Sequence, residues 1–183
     1  MHKTILRGIG QVMLQNSALT GLIFLAGIFY NSWQLGIAAL GGCIVSNFTA
    51  YALKYSKEDI ENGLYGFNGT LVGIAMWFFF GVTVASTLLG VVGAAISTVV
   101  MYAMKKKMPT FTAPFVITTW VLFVFAHFIP VVNFVLGELS DKVHFSAAIT
   151  QGFGQVMFQG NVITGVLFFV AILVNSRLAA LYA

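Results

Sequence analysis

Charge is scarce in this 183-residue sequence, with nine Lys or Arg, five Asp or Glu, and 8% charged positions in all. Soluble domains carry about a quarter, so a water-soluble globule is excluded. Cysteine is nearly absent. Cys43 is the single thiol, which excludes an intrachain disulfide and a multi-cysteine metal site; within its apolar run it reads as a small buried residue. No Ser/His/Asp set, carboxylate pair or metal-ligand spacing occurs, so no enzyme activity and no cofactor are expected. His2 and His144 sit in end or loop regions, and His127 reads as interfacial. The start, MHKTILRGIGQVMLQN, lacks a small-residue cleavage site after a short apolar core, so no cleaved signal peptide is expected.

What is present is apolar. Hydrophobic residues make up 59% of the chain and mean hydropathy is +0.94. The charges are bunched, leaving uncharged windows of 46 residues after Arg7, 43 after Glu61, 30 after Lys107 and 34 after Lys142. A helical crossing takes about 20 apolar residues, so these windows hold two, two, one and one spans. The fold class is all-α, polytopic and membrane-embedded. The +4 net charge lies in inter-span loops, where it sets topology and is not expected to bind nucleic acid.

The chain also repeats itself. GIGQVMLQNSALTGLIFLAGIFYNS, from Gly8, aligns without a gap to GFGQVMFQGNVITGVLFFVAILVNS, from Gly152, with 12 of 25 residues identical at an offset of 144. The identities include Gln11/Gln155, Gln15/Gln159, Thr20/Thr164, Gly21/Gly165 and Asn31/Asn175. Apolar composition alone would not match glutamines and asparagines. So long an offset indicates duplication of a whole membrane half. Residues 1–143 form the first repeat and 144–183 the opening of the second. The remainder of the second copy is missing, so the chain is expected to be a fragment of a longer protein.

In the first repeat a short helix near 6–15 precedes crossings near 18–30, 34–53, 63–80, 82–104 and 112–128. After a connection over 133–143 come a second short helix near 149–159 and its crossing at 162–175. The short helices do not span, and Gln11 and Gln15, four apart, are expected on one helical face. A cytoplasmic N-terminus puts eight of the nine Lys/Arg inside, with Lys142 the exception. Five crossings per copy invert the second relative to the first, and substrate sites in such folds lie near mid-membrane where the copies meet.

Polar side chains within apolar spans point to a pathway. Gln11, Gln15, Gln155 and Gln159 recur on the half-helices; a pore lining is favoured over capping or helix–helix glue, which stays as the alternative. In Glu61–Gly73, four glycines allow either an unwound backbone or close small-residue packing. Phe67 and Leu71, four apart, share a face and can form a slot wall. Pro114 frees a carbonyl at the start of the fifth span, where Thr112 supplies a hydroxyl.

The stretches LRGIGQVMLQN, GLYGFNGTLVGIAM, MPTFTAPF and GFGQVMFQGNVITGVLF, in that order, resemble the urea transporter family of bacteria and animals. The resemblance implies two inverted halves, each with five crossings and a half-spanning pore helix, and a homotrimer with one pore per protomer. It also implies passive passage of urea, without ion coupling, through a bacterial inner (plasma) membrane. By motif match, Gln11, Val12 and Leu14 belong to the first half-helix and Gln155, Val156 and Phe158 to the second. Phe67 and Leu71 match slot-wall positions and Thr112 the mid-pore threonine. Leu14 stands where an aromatic is common, and the second copies of the GFNG and FTxPF motifs are absent. The physics suits a neutral solute. An amide-type hydrogen bond lost in an apolar setting costs roughly 2–7 kcal/mol, so a pore must offer urea neutral acceptor oxygens in place of water. Competing expectations are a pore for ammonia, an amide or water, and a non-conducting membrane scaffold.

Overall fold

The computed structural model describes residues 2–128, 133–135 and 145–182. The expected start of the second repeat at His144, and Lys142, the exception to the charge bias, lie outside the described residues. Among the described residues every regular element is helical. Helix α1 (His2–Gly10) tightens into a 3-10 turn (Gln11–Met13) before α2 (Ala18–Asn31). Helices α3 (Trp33–Ala52), α4 (Lys57–Glu61), α5 (Gly66–Phe80), α6 (Val84–Lys105) and α7 (Ala113–His127) follow. After them come α8 (Phe145–Gln155), α9 (Val162–Asn175) and α10 (Arg177–Tyr182).

Helix limits follow side chains that satisfy the free N–H groups of a first turn. Ser17, Ser32, Ser56, Thr83 and Asn161 each accept from such an N–H, and Thr83 and Ser86 form a reciprocal capping box. Helices α2, α3, α5, α6 and α7 lie where the five crossings are expected, with ends shifted by a few residues. Two of these, α3 and α6, are long and apolar enough to cross a bilayer by themselves. Helix α1 with its turn and α2 form a pair bent by 76°. Helices α5, α7 and α9 are apolar but only 15, 15 and 14 residues long, about 21–23 Å at 1.5 Å per residue. The whole is a polytopic helical membrane protein.

Two local expectations change. The half-helix does not run through 6–15. It starts at His2, stops at Gly10, and its chain reverses through Leu14 at φ 58°, so Gln11 and Gln15 do not share a helical face. In the second copy α8 ends at Gln155, earlier than 159, and Phe158 takes φ 60°. The other change concerns the glycines of Glu61–Gly73. Helix α5 is regular from Gly66 onward, and Gly69 and Gly73 press against the Gly42, Ser46 and Ala38 surface of α3. Gly69 and Gly73 thus provide close packing, while Gly63, at φ 76° in the turn before α5, supplies the irregular backbone. Ser46 Oγ extends the join by donating to the Ala94 carbonyl of α6 at 2.9 Å.

Candidate functional site

The two copies of the half-helix adopt the same turn. The Gly10 carbonyl accepts from Gln15 N–H at 3.1 Å, and the Gly154 carbonyl from Gln159 N–H at 3.0 Å. Leu14 N–H donates to the Gln11 carbonyl and Phe158 N–H to the Gln155 carbonyl, both at 3.0 Å. The next residue's side chain then folds back: Gln15 Nε2 donates to the Met13 carbonyl at 2.9 Å and Gln159 Nε2 to the Met157 carbonyl at 2.7 Å. Leu and Phe have no taste for positive φ, so these bonds and the packing behind them hold the turn.

Helices α2 and α9 join the copies through contacts that exchange when each residue is replaced by its equivalent 144 positions away. Asn31 Nδ2 donates to Gln159 Oε1, and Asn175 Nδ2 to Gln15 Oε1, both at 2.7 Å. Thr164 Oγ1 donates to the Gly27 carbonyl at 3.0 Å and Thr20 Oγ1 to the Ala171 carbonyl at 3.4 Å. Phe24 meets its own equivalent, Phe168, at 4.8 Å between centroids. Gln15 and Gln159 therefore tie helix to helix. For this pair the glue alternative holds, and the favoured pore lining gives way, because both ends of each amide are engaged within the protein.

Gln11 is placed differently. It is buried, and its Nε2 donates to the Asn62 carbonyl at 3.0 Å in the segment leading into α5. The Asn62 side chain in turn accepts from Asn16 Nδ2 at 3.1 Å, and Arg7 reaches the Glu61 carbonyl. With its N–H end held, the Gln11 amide keeps its oxygen for another donor. Val12, Phe67 and Leu71 are buried in one apolar cluster with Ile9. Phe115 and Phe158 pack on its edge, with 6.3 Å between their ring centroids. Thr112 is the N-cap residue of α7, three positions before Phe115. The structure thus brings Val12, Phe67, Leu71 and Phe158 into one region, with Thr112 beside it on α7.

The remaining expected residues stand apart. Leu14 is 63% exposed, against 5% for Val12. Gln155 is exposed and Val156 is 48% exposed, although their equivalents Gln11 and Val12 are buried. Asn62 and α5 cover the first turn; among the described residues Gln155 and Val156 have no such cover.

Along its length the sequence compares with known proteins as this geometry suggests. Residues 2–183 match the Urea transporter family. The chain belongs to that family. It is 32% identical over 203 residues to Urea transporter 1 of Rattus norvegicus and, over the same length, to that of Mus musculus; either alignment covers 98% of this chain and 52% of the relative. Urea transporter 1 of Ovis aries is 31% identical over 207 residues, with the same coverage. The chain spans about half the length of these curated relatives. Motifs alone do not single out Asn31, Asn175, Thr20, Thr164, Asn62 and Asn68. The first four are visible as identities in the repeat, while Asn62 and Asn68 lie inside the glycine-rich segment with no signal beyond their polarity.

Proposed function

We propose that this chain carries one half of a passive urea pathway and the opening of the other. Residues 1–143 form the first repeat, and residues 144–183 begin a second repeat of inverted orientation. Gln11, with its N–H end tied to Asn62, presents an acceptor oxygen. Phe67, Leu71 and Val12 supply flat apolar wall, and Thr112 supplies a hydroxyl. In the second repeat Gln155, Val156 and Phe158 take the corresponding places, with Phe158 packed on the edge of the cluster that holds the wall. Leu14 belongs to the first turn and, by its motif, to the same lining. The protein as a whole lies in a bacterial inner membrane with its N-terminus cytoplasmic and works as a homotrimer with one pathway per protomer.

The supporting observation is the reciprocal join of α2 and α9, which sets two identically folded glutamine turns in fixed relation. Neutral acceptors with flat walls suit urea, which needs its N–H bonds to water replaced but not exceeded. Hydrated ions would lose their shells there without compensation. Reconstitution of the full-length protein in liposomes, followed by shrinkage and reswelling in urea, formamide or glycerol, tests this reading. Urea should pass faster than glycerol, and Gln11→Ala should slow it. Urea permeability equal to that of protein-free vesicles would end the proposal. Equal passage of urea, formamide and glycerol would point to an unselective pore for small neutral solutes.

A further inference from the structure

Helix α7 receives its N-terminal cap from another helix. Thr112 is its N-cap residue, the position from which a threonine hydroxyl normally accepts from the second or third N–H of the helix. The second residue is Pro114, which has no N–H. The third is Phe115, and its N–H donates to Asn68 Oδ1 of α5, 3.0 Å away. Thr112 accordingly makes no side-chain cap bond. Asn68 is fully buried, and its Nδ2 faces Met101 Sδ at 3.8 Å. Only the oxygen end of an amide can face an N–H donor, so the orientation of Asn68 follows from its partners.

We propose that Asn68 is a positioning residue for Thr112. By capping α7 from α5 it leaves the threonine hydroxyl available to the solute. It also ties that hydroxyl to the wall formed by Phe67 and Leu71, its neighbours on the same helix. This inference rests on the reading of Thr112 as part of the pathway. Without Asn68 the Phe115 N–H has no partner, and the acceptor best placed to take it is the Thr112 hydroxyl. The threonine then turns inward to cap its own helix, and the pathway loses the same oxygen that Thr112→Val removes.

A double-mutant cycle in the full-length protein tests the inference. Urea permeability of Asn68→Leu, Thr112→Val and the double variant is measured in proteoliposomes, with detergent melting curves as the control for folding. Each single change should lower permeability by about three- to tenfold, the range of one neutral hydrogen bond. The double variant should be no slower than the slower single one. Asn68→Asp keeps an acceptor oxygen in either protonation state and should restore parental permeability. If Asn68→Leu fails to fold, Asn68→Ala breaks the same bond with less crowding. Losses that multiply in the double variant, or parental flux in a folded Asn68→Leu or Asn68→Ala, would overturn the role of Asn68. Parental flux in Thr112→Val would instead remove Thr112 from the pathway, and the inference with it.

Discussion

Gly21 and Gly165 show how narrow the tolerances are where each short helix packs on the helix that follows it. A Cβ on Gly21 would run into the Leu6 carbonyl, and one on Gly165 into the carbonyl of Thr150, the equivalent of Leu6. Both obstacles are backbone, so relief requires moving a half-helix relative to its crossing. Overpacking of this kind costs typically about 1–3 kcal/mol, and Gly21→Ala is expected to destabilise by at least that much in a detergent denaturation series. Gly41, on an open surface of α3 with free space where a methyl would stand, is the control. There Gly→Ala should leave stability unchanged or raise it by about 0.5–1 kcal/mol, the ordinary helix-propensity gain. Equal responses at the two positions would mean that α1 and α2 are not held as closely as described. Residues of this kind can be singled out as repeated glycines but not ranked from sequence, because the ranking depends on which carbonyl passes overhead.

Whole elements are legible in the sequence to different degrees, and the differences are physical. Crossings follow from composition, since an uncharged window of the right length has few alternatives in a bilayer. That is why α2 and α9 fall within a residue or so of their expected limits. The half-helices depart from expectation because their last turn is set by tertiary contact. Leu14 and Phe158 carry no left-handed preference, and nothing local announces a reversal there. The α2–α9 join is legible as matched identities, yet its pairing is not, since Asn31 finds Gln159 and Asn175 finds Gln15 across more than 120 positions. Each pair sets an exposed asparagine on a buried glutamine, which makes a clear prediction. Asn175→Ala strands the Gln15 oxygen and should cost about 1–3 kcal/mol, the penalty for leaving a buried acceptor unsatisfied. Asn31→Ala should cost a similar amount by stranding Gln159. Guanidinium or heat denaturation of the two variants checks the equivalence, and a large cost at one position with none at the other would show that the join is not reciprocal in energy.

At the scale of the molecule, several of the described charges meet at one end. Arg7 donates to the Glu61 carbonyl, Lys57 lies 3.8 Å from Glu61, and Lys105 pairs with Asp59. Helix α1, the α3–α5 connection and the end of α6 therefore meet on one face, and Lys106 lies over the Tyr102 ring beside them. The Lys57–Glu61 pair is exposed and worth little by itself, while Lys105–Asp59 is partly buried. Their consequence is topological. A bilayer admits that cluster to one side only, and basic loops favour the cytoplasm. Cys43 is fully buried, so the parent provides a low background for labelling with a membrane-impermeant maleimide. Lys57→Cys and Lys107→Cys should each label in inside-out vesicles and stay unlabelled in right-side-out ones. Labelling of the two from opposite faces would break the shared end. Labelling of both only from outside would preserve the architecture but reverse the proposed orientation, and with it the side on which the proposed pathway opens at the Gln11 turn.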